Sequence, residues 1–112
     1  MNLNININLT NEQKAFVDST KQFADEHIKN NSLKWDKNAY FPVEVFKKSA
    51  ELGLAGIYVS EKDGGTSLTR LDASLIFEEL AYACPSTSAF LSIHNMTAWM
   101  LSKYGNNDLK NK

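Results

Sequence analysis

The sequence predicts an all-α fold, a single domain of helices in an orthogonal or up-and-down array. Apolar residues recur every three or four positions over several segments of the chain, which is the period of an amphipathic helix. Capping side chains, prolines and glycines stand at the boundaries of those segments. Strand-like alternation occurs at the N-terminus, where asparagine alternates with apolar side chains over the first nine residues.

The size and composition fit one globular domain and exclude several classes of protein. A chain of 112 residues has the length of one domain and can bury a core. Because 12 basic and 13 acidic residues nearly cancel, a broad electrostatic surface for nucleic acid or anionic lipid is not expected. No apolar run approaches the ~20 residues that span a bilayer. The single cysteine excludes an internal disulfide, and it offers no metal-ligand spacing with the two histidines.

Residues 1–9 are predicted to be a frayed tail. The segment lacks the basic and apolar regions of a secretory signal and the arginines of a mitochondrial presequence. The first helix begins after it, because Thr10 and Gln13 have the pattern of a capping box. Its apolar side chains recur at helical spacing over about 11–29, and a short second helix is expected over 32–38.

The next helix is predicted over 42–52, between a proline and a glycine. Pro42 suits the first helical position, where its missing N–H would have no helical partner. Gly53 suits the position after the last turn, where a positive φ is favoured. Residues 54–59 are apolar, and their pattern assigns neither helix nor strand. Residues 60–67 are rich in turn formers and predict a loop, whose glycines lack the spacing of a phosphate-binding loop.

Two long helices are predicted in the last part of the chain. Thr69 caps the first of them, with Asp72 at its third position. This helix ends near Cys84, because the residue before a proline disfavours the helical region. The second runs over about 86–104 and is apolar almost all round, so it is expected to be central. A glycine follows it, and the polar residues beyond resemble the start of a further helix.

These helices offer few candidates for chemistry. Adjacent residues of a helix point about 100° apart, so Glu78 and Glu79 are interpreted as a solvated or ion-paired face and not as a facing acid pair. Cys84 is interpreted as a small buried hydrophobe. For His94 two interpretations stay open, a hydrogen-bonded histidine in the interior or a residue at a ligand pocket.

Three side chains of the last long helix share one face. Ser88, Ser92 and Met96 stand at i, i+4 and i+8. Small hydroxyl side chains leave room beside a helix, either for a neighbouring helix or for a slender apolar ligand. Spacing alone favours the neighbouring helix.

Several motifs resemble the N-terminal helical domain of acyl-CoA dehydrogenases. They are LTNEQ, GLAGIYV, a double glycine, RLD and FEELA, at residues 9–13, 53–59, 64–65, 70–72 and 77–81. The stretch 86–96, followed by Ala98-Trp99-Met100, especially resembles the members that oxidise isobutyryl-CoA in valine breakdown. Because the similarity runs to the end of the chain, residues 10–112 are interpreted as this domain, without the β-domain and the C-terminal helical domain.

The resemblance implies the mechanism of a complete enzyme. Family members are homotetrameric flavoproteins in which a glutamate removes the α-proton of an acyl-CoA, FAD takes the β-hydride, and electrons pass to electron-transferring flavoprotein. That glutamate belongs to the C-terminal domain, and most flavin contacts come from the β-domain and a partner subunit. The resemblance therefore assigns this chain no catalytic, cofactor-binding or metal-ligating residue. Alone, the chain is expected to bind no FAD and to be inactive.

The resemblance also implies a substrate site. It places Ser88, Ser92 and Met96 where family members limit the depth of the acyl pocket, and so predicts one wall of an acyl-CoA site. It implies a mitochondrial location, although a cytoplasmic one stays open without a readable presequence. Two alternatives are non-enzymatic: a helical interaction module from a truncated gene, or an acyl carrier with a closed pocket.

Overall fold

The computed structural model describes residues 8–112, and within that range the chain is helical and contains no strand. The α-helices are α1 (Asn11–Ala24), α2 (Ser32–Lys37), α3 (Val43–Glu51), α4 (Arg70–Ala83), α5 (Pro85–Tyr104) and α6 (Asn107–Lys110). A π-helical turn, Asp25–Lys29, continues α1, and a 3₁₀ turn, Glu61–Asp63, lies between α3 and α4. The prediction of an all-α fold is confirmed.

The first helix begins at the predicted capping box. The Thr10 hydroxyl accepts a hydrogen bond from the Gln13 N–H, and the Gln13 side chain accepts one from the Thr10 N–H, each at 3.1 Å. The predicted single helix over 11–29 instead widens into a π-helical turn after Ala24, which the apolar period does not reveal. The predicted tail lies mostly outside the described residues.

The third helix ends in the glycine turn that the sequence predicts. Gly53 has a φ of +80°. Its N–H donates to the Ala50 carbonyl at 2.9 Å, and the Leu54 N–H donates to the Ser49 carbonyl at 3.0 Å. This pair of bonds is the Schellman pattern, which satisfies the last carbonyls of a helix. Pro42 stands one position before α3 and not at its first position.

The connection between α3 and α4 is irregular but partly buried. Leu54, Ile57 and Val59 belong to the interior. The Leu68 N–H donates to the Ile57 carbonyl at 2.8 Å, so the connection folds back on itself. A Cβ at Gly65 would collide with the Val59 carbonyl oxygen, and glycine is required there for this close approach.

The core forms where α4 packs against α1 on one side and α5 on the other. Apolar side chains from these helices, the π-helical turn and the α3–α4 connection meet there: Phe23, Ile28, Leu54, Ile57, Ile76, Leu80 and Leu91. Three of them, Ile28, Ile57 and Leu80, are wholly buried. The irregular connection is therefore as much a part of the interior as the helices.

The prediction that the last long helix is central is wrong for the part of the chain that the structure describes. One side of α5 is buried and carries Leu91 with three polar residues, Thr87, Ser88 and Asn95. The opposite side is exposed at Ile93, Met96, Met100 and Tyr104. α5 therefore has two apolar surfaces: α4 covers one of them, and the other is exposed within residues 8–112.

The capping boxes of α1 and α4 are joined by a side-chain hydrogen bond. One oxygen of Asp72 accepts bonds from the N–H and the hydroxyl of Thr69, at 2.9 and 2.8 Å. Its other oxygen accepts a bond from the Gln13 amide at 2.9 Å. Although burial acts in the opposite direction, the Gln13 bond, with those from Thr69, holds the pKa of Asp72 below its usual range.

Replacing Asp72 with asparagine is expected to lower the free energy of unfolding by about 1 kcal/mol at pH 7, because the neutral amide accepts weaker hydrogen bonds and loses the attraction of a negative charge to the helix N-terminus. Because the folded-state pKa is depressed, the carboxylate stabilises the fold above its unfolded pKa of about 3.9 and loses this contribution as pH falls through the folded value. The difference in the free energy of unfolding between the unmodified chain and the variant, measured by urea unfolding, should therefore be smaller at pH 3 than at pH 7. An equal difference at both pH values would contradict the role of the Asp72 charge. The control is Glu78→Gln, because Glu78 is exposed.

Candidate functional site

The three residues predicted to line a pocket lie on α5 with increasing exposure. Ser88 is 6% exposed, Ser92 is partly buried, and Met96 is 47% exposed. A helix advances 100° per residue, so positions four apart drift by about 40° around the axis. This drift carries the later residues from the side that α4 covers to the open side.

Ser88 joins α5 to α4. Its hydroxyl donates to the Phe77 carbonyl of α4 at 2.8 Å. The hydroxyl of Ser92 instead bonds within its own helix, to the Ala89 carbonyl at 2.8 Å. A neighbouring helix therefore occupies the room beside Ser88, whereas the surface at Met96 is open among residues 8–112.

Asn95, which the sequence analysis missed, ties α5 to the α3–α4 connection. The residue is wholly buried, and its side-chain oxygen accepts a hydrogen bond from the Ile57 N–H at 2.6 Å. Its amide nitrogen donates to the carbonyls of Leu54 and Leu91, each at 2.8 Å. An asparagine between apolar neighbours, Ile93 and Met96, on a largely apolar helix is the sequence signal that points to such a role, because a buried amide needs partners.

The open side of α5 carries a row of exposed apolar side chains, Ile93, Met96, Met100 and Tyr104, which we call the α5 stripe. They are spaced three or four residues apart, so they lie along one side of the helix. Contiguous exposed apolar surface of this kind marks a site of contact with a ligand or with other protein.

His94 lies at a separate apolar groove between α3 and α5. The groove contains three aromatic rings, of which Phe46 is 4.7 Å from Phe41 and 4.3 Å from Phe90 between centroids. The His94 ring is exposed and lies 6.4 Å from that of Phe90. The interpretation of His94 as an interior histidine is therefore wrong, and its role at a ligand pocket stays a prediction.

The remaining candidates for chemistry lie on α4 and at its C-terminal end. Glu78 is exposed and Glu79 partly buried on α4. Cys84 is buried, which confirms its interpretation as a small hydrophobe. In the range 8–112 no cluster of histidine, cysteine and acidic residues is arranged to hold a metal ion. Over the same residues, every helix is too short or too polar to span a membrane.

Comparison with known proteins identifies the domain. The family model for the acyl-CoA dehydrogenase N-terminal domain matches residues 10–112. The mitochondrial isobutyryl-CoA dehydrogenase of Dictyostelium discoideum is 49% identical over 109 residues, which are 97% of this chain and 26% of that protein. The enzyme of the same name from Bos taurus is 40% identical over 104 residues, 93% of this chain and 25% of that protein.

The fold also matches solved structures. The solved structure of PigA in complex with FAD matches with a TM-score of 0.83 and 27% identity, over 96% of this chain and 29% of that one. The chain thus spans between a quarter and a third of the length of these proteins. The resemblance predicted from the sequence motifs is confirmed, and the chain belongs to the acyl-CoA dehydrogenase family, as its N-terminal helical domain.

Proposed function

We propose that residues 10–112 form the N-terminal domain of an FAD-dependent dehydrogenase that acts in mitochondria. Its substrate is a short branched acyl-CoA, isobutyryl-CoA. Identity of 49% and 40% to two isobutyryl-CoA dehydrogenases, over nearly the whole chain, carries this proposal. The complete enzyme would be a homotetramer that passes its electrons to electron-transferring flavoprotein. In it, this domain closes one side of the acyl pocket.

One residue of the α5 stripe, Met96, supports the assignment of the pocket wall. Met96 presents a flexible apolar side chain on the open side of α5, which suits contact with a small branched acyl group. Ser92 lies one turn earlier and is small, so it leaves room beside the helix. Ser88 acts at a distance, because its bond to the Phe77 carbonyl holds α5 at a set position on α4.

The double glycine does not have the geometry of a glycine turn that holds a dinucleotide phosphate. The double glycine, Gly64 and Gly65, follows a 3₁₀ turn and does not open a helix. Gly65 lies against the Val59 carbonyl, so its backbone faces protein. Within 8–112 neither feature matches the glycine turn at a helix N-terminus that holds a dinucleotide phosphate. We infer that the flavin of the proposed enzyme is held mainly by residues outside this range, as the family resemblance implies.

A chimeric enzyme tests the proposal. Residues 10–112 replace the matching segment of the Dictyostelium discoideum enzyme, and oxidation of isobutyryl-CoA is followed with an artificial electron acceptor. The chimera should keep a rate within roughly tenfold of the parent, or about 1.4 kcal/mol in activation free energy. The isolated chain, with FAD added, should show no turnover. Turnover by the isolated chain, or a folded, FAD-loaded chimera without turnover, would contradict the proposal.

The α5 stripe also favours a second candidate, a helical interaction module without enzymatic activity. Its exposed apolar side chains would then bind another protein. The chimera separates the two candidates, because an interaction module has no reason to support oxidation of isobutyryl-CoA.

A further inference from the structure

A cavity of about 330 Å³ opens where the first turn of α5 meets α2 and the connection from α2 to α3. Five aromatic side chains line it: Trp35, Tyr40, Phe41, Phe46 and Phe90. The centre of the Phe90 ring lies 4.9 Å from that of Phe41 and 4.3 Å from that of Phe46, so three of the rings form one continuous wall. Sites for small molecules have volumes of about 300–1,000 Å³ and are lined mainly by apolar and aromatic side chains.

A threonine of α5 that lines this cavity, Thr87, has a hydroxyl without a partner in the described chain. The residue is 4% exposed, yet its hydroxyl forms no hydrogen bond with residues 8–112, whereas those of Ser92 and Thr97 on the same helix each donate to a carbonyl. Every fully enclosed side-chain oxygen or nitrogen in this range has a partner, so the Thr87 oxygen is not fully enclosed. Because Thr87 lines the cavity, its hydroxyl is accessible from there, and a ligand atom would satisfy it.

The backbone of the same turn offers two further donors. Cys84 precedes α5 and makes no capping hydrogen bond with its side chain, and Pro85, at the first helical position, has no N–H. The first N–H of this helix with a backbone partner is that of Ser88, which donates to the Cys84 carbonyl at 3.1 Å. The N–H groups of Ser86 and Thr87 therefore have no partner within residues 8–112. Both lie at the positive end of the dipole of a 20-residue helix.

We propose that this cavity binds a small aromatic carboxylic acid. Its carboxylate accepts hydrogen bonds from the Thr87 hydroxyl and from the N–H groups of Ser86 and Thr87. Its ring packs against the aromatic wall in offset or edge-to-face contacts. Within residues 8–112 the charged side chain that lines the cavity is Asp36, which is exposed and opposes a second negative charge, so the ligand is a monocarboxylate and not a phosphate.

This site does not depend on the acyl pocket. Thr87 and Met96 are nine positions apart on α5, and at about 100° per residue they project from opposite sides of the helix. Met96 and Ser92 do not line the cavity. A failure of one proposal therefore leaves the other intact.

Trp35 provides the signal for a binding experiment, because it lines the cavity. Trp99→Phe leaves Trp35 as the only tryptophan of the chain. In this background, phenylacetate, phenylacetamide, benzylamine and acetate are titrated at pH 7 and constant ionic strength. We expect a saturable change in Trp35 fluorescence with phenylacetate. The neutral phenylacetamide should bind at least about tenfold more weakly, because hydrogen bonds to a charged group are stronger. Acetate, which lacks the ring, and benzylamine, which lacks the carboxylate, should not saturate.

Two variants locate the site. Thr87→Val keeps the shape of the side chain and removes its oxygen, so phenylacetate should bind at least about tenfold more weakly. Because the hydroxyl has no partner within residues 8–112, the urea midpoint without ligand should not fall. Asp36→Asn, at an exposed position, removes the opposing charge and should tighten binding about twofold to fivefold, the size of a screened surface interaction. Thr97→Val is the matched control, because Thr97 lies on the same helix but does not line the cavity, and it should bind as the parent does.

Three results would overturn the proposal. The first is no saturable change up to roughly 10 mM phenylacetate, which is weaker than specific small-ligand binding. The second is equal binding of phenylacetate by Thr87→Val and Thr97→Val, or binding of phenylacetamide as tight as that of phenylacetate. The third is saturation by benzylamine and not by phenylacetate, which would assign the aromatic rings and Asp36 to a cation.

Discussion

Replacing Asn95 with alanine should destabilise the domain by about 4 kcal/mol. The Ile57 N–H and the Leu54 carbonyl are hydrogen-bonded by the Asn95 side chain in the interior. Each would lose this partner, at a cost of about 1–3 kcal/mol for a buried polar group left unpaired. The shortened side chain also leaves a small void. Such a loss is a large share of the about 5–15 kcal/mol that stabilises a typical domain.

Urea unfolding of the 112-residue chain, followed by far-UV circular dichroism, measures this effect. The matched control is Thr97→Ala on the same helix. Thr97 is exposed, and its hydroxyl donates to the Ile93 carbonyl at 3.0 Å, so its loss should change stability by no more than about 0.5 kcal/mol. A loss at Asn95 as small as that at Thr97 would show that Asn95 does not hold the connection to α5.

The helix boundaries could be predicted because they depend on neighbours in the chain. The capping box of Thr10 with Gln13 links residues three apart, and so does that of Thr69 with Asp72. The turn at Gly53 is equally local. Rules for single residues and short spacings apply directly to such features.

The contacts that hold these helices together could not be predicted in this way. The Gln13–Asp72 bond joins residues 59 apart, and the Asn95–Ile57 bond joins residues 38 apart. The apolar segment 54–59 has no regular structure because part of its backbone pairs with Asn95 and not with a strand or a helical turn. A local pattern holds no information on partners at this distance.

The candidate site was predictable in part. The spacing correctly placed Ser88, Ser92 and Met96 on one helix. It did not predict that their exposure would differ. The drift around the helix axis separates them, so that Ser88 contacts α4 while Met96 is exposed. An apolar residue that faces the interior and one that is exposed look alike in sequence, which explains why α5 was expected to be central.

Filling the proposed pocket at Met96 should have the largest effect on activity. Met96→Trp, introduced into the chimera, places a bulky ring where the acyl group is proposed to lie. We expect kcat/KM for isobutyryl-CoA to fall about 100-fold, or about 2.7 kcal/mol in transition-state stabilisation. Met100→Trp is the matched control, since Met100 is the next residue of the α5 stripe, one turn further along, and is also about half exposed.

The comparison of these two variants tests most directly whether α5 forms a wall of the acyl pocket. The measurement is kcat/KM for isobutyryl-CoA in FAD-loaded chimeras with equal unfolding midpoints. We expect kcat/KM to fall about 100-fold for Met96→Trp. For Met100→Trp we expect kcat/KM to change by no more than about threefold, which is under 1 kcal/mol. Equal values for the two variants, whether both high or both low, would contradict it.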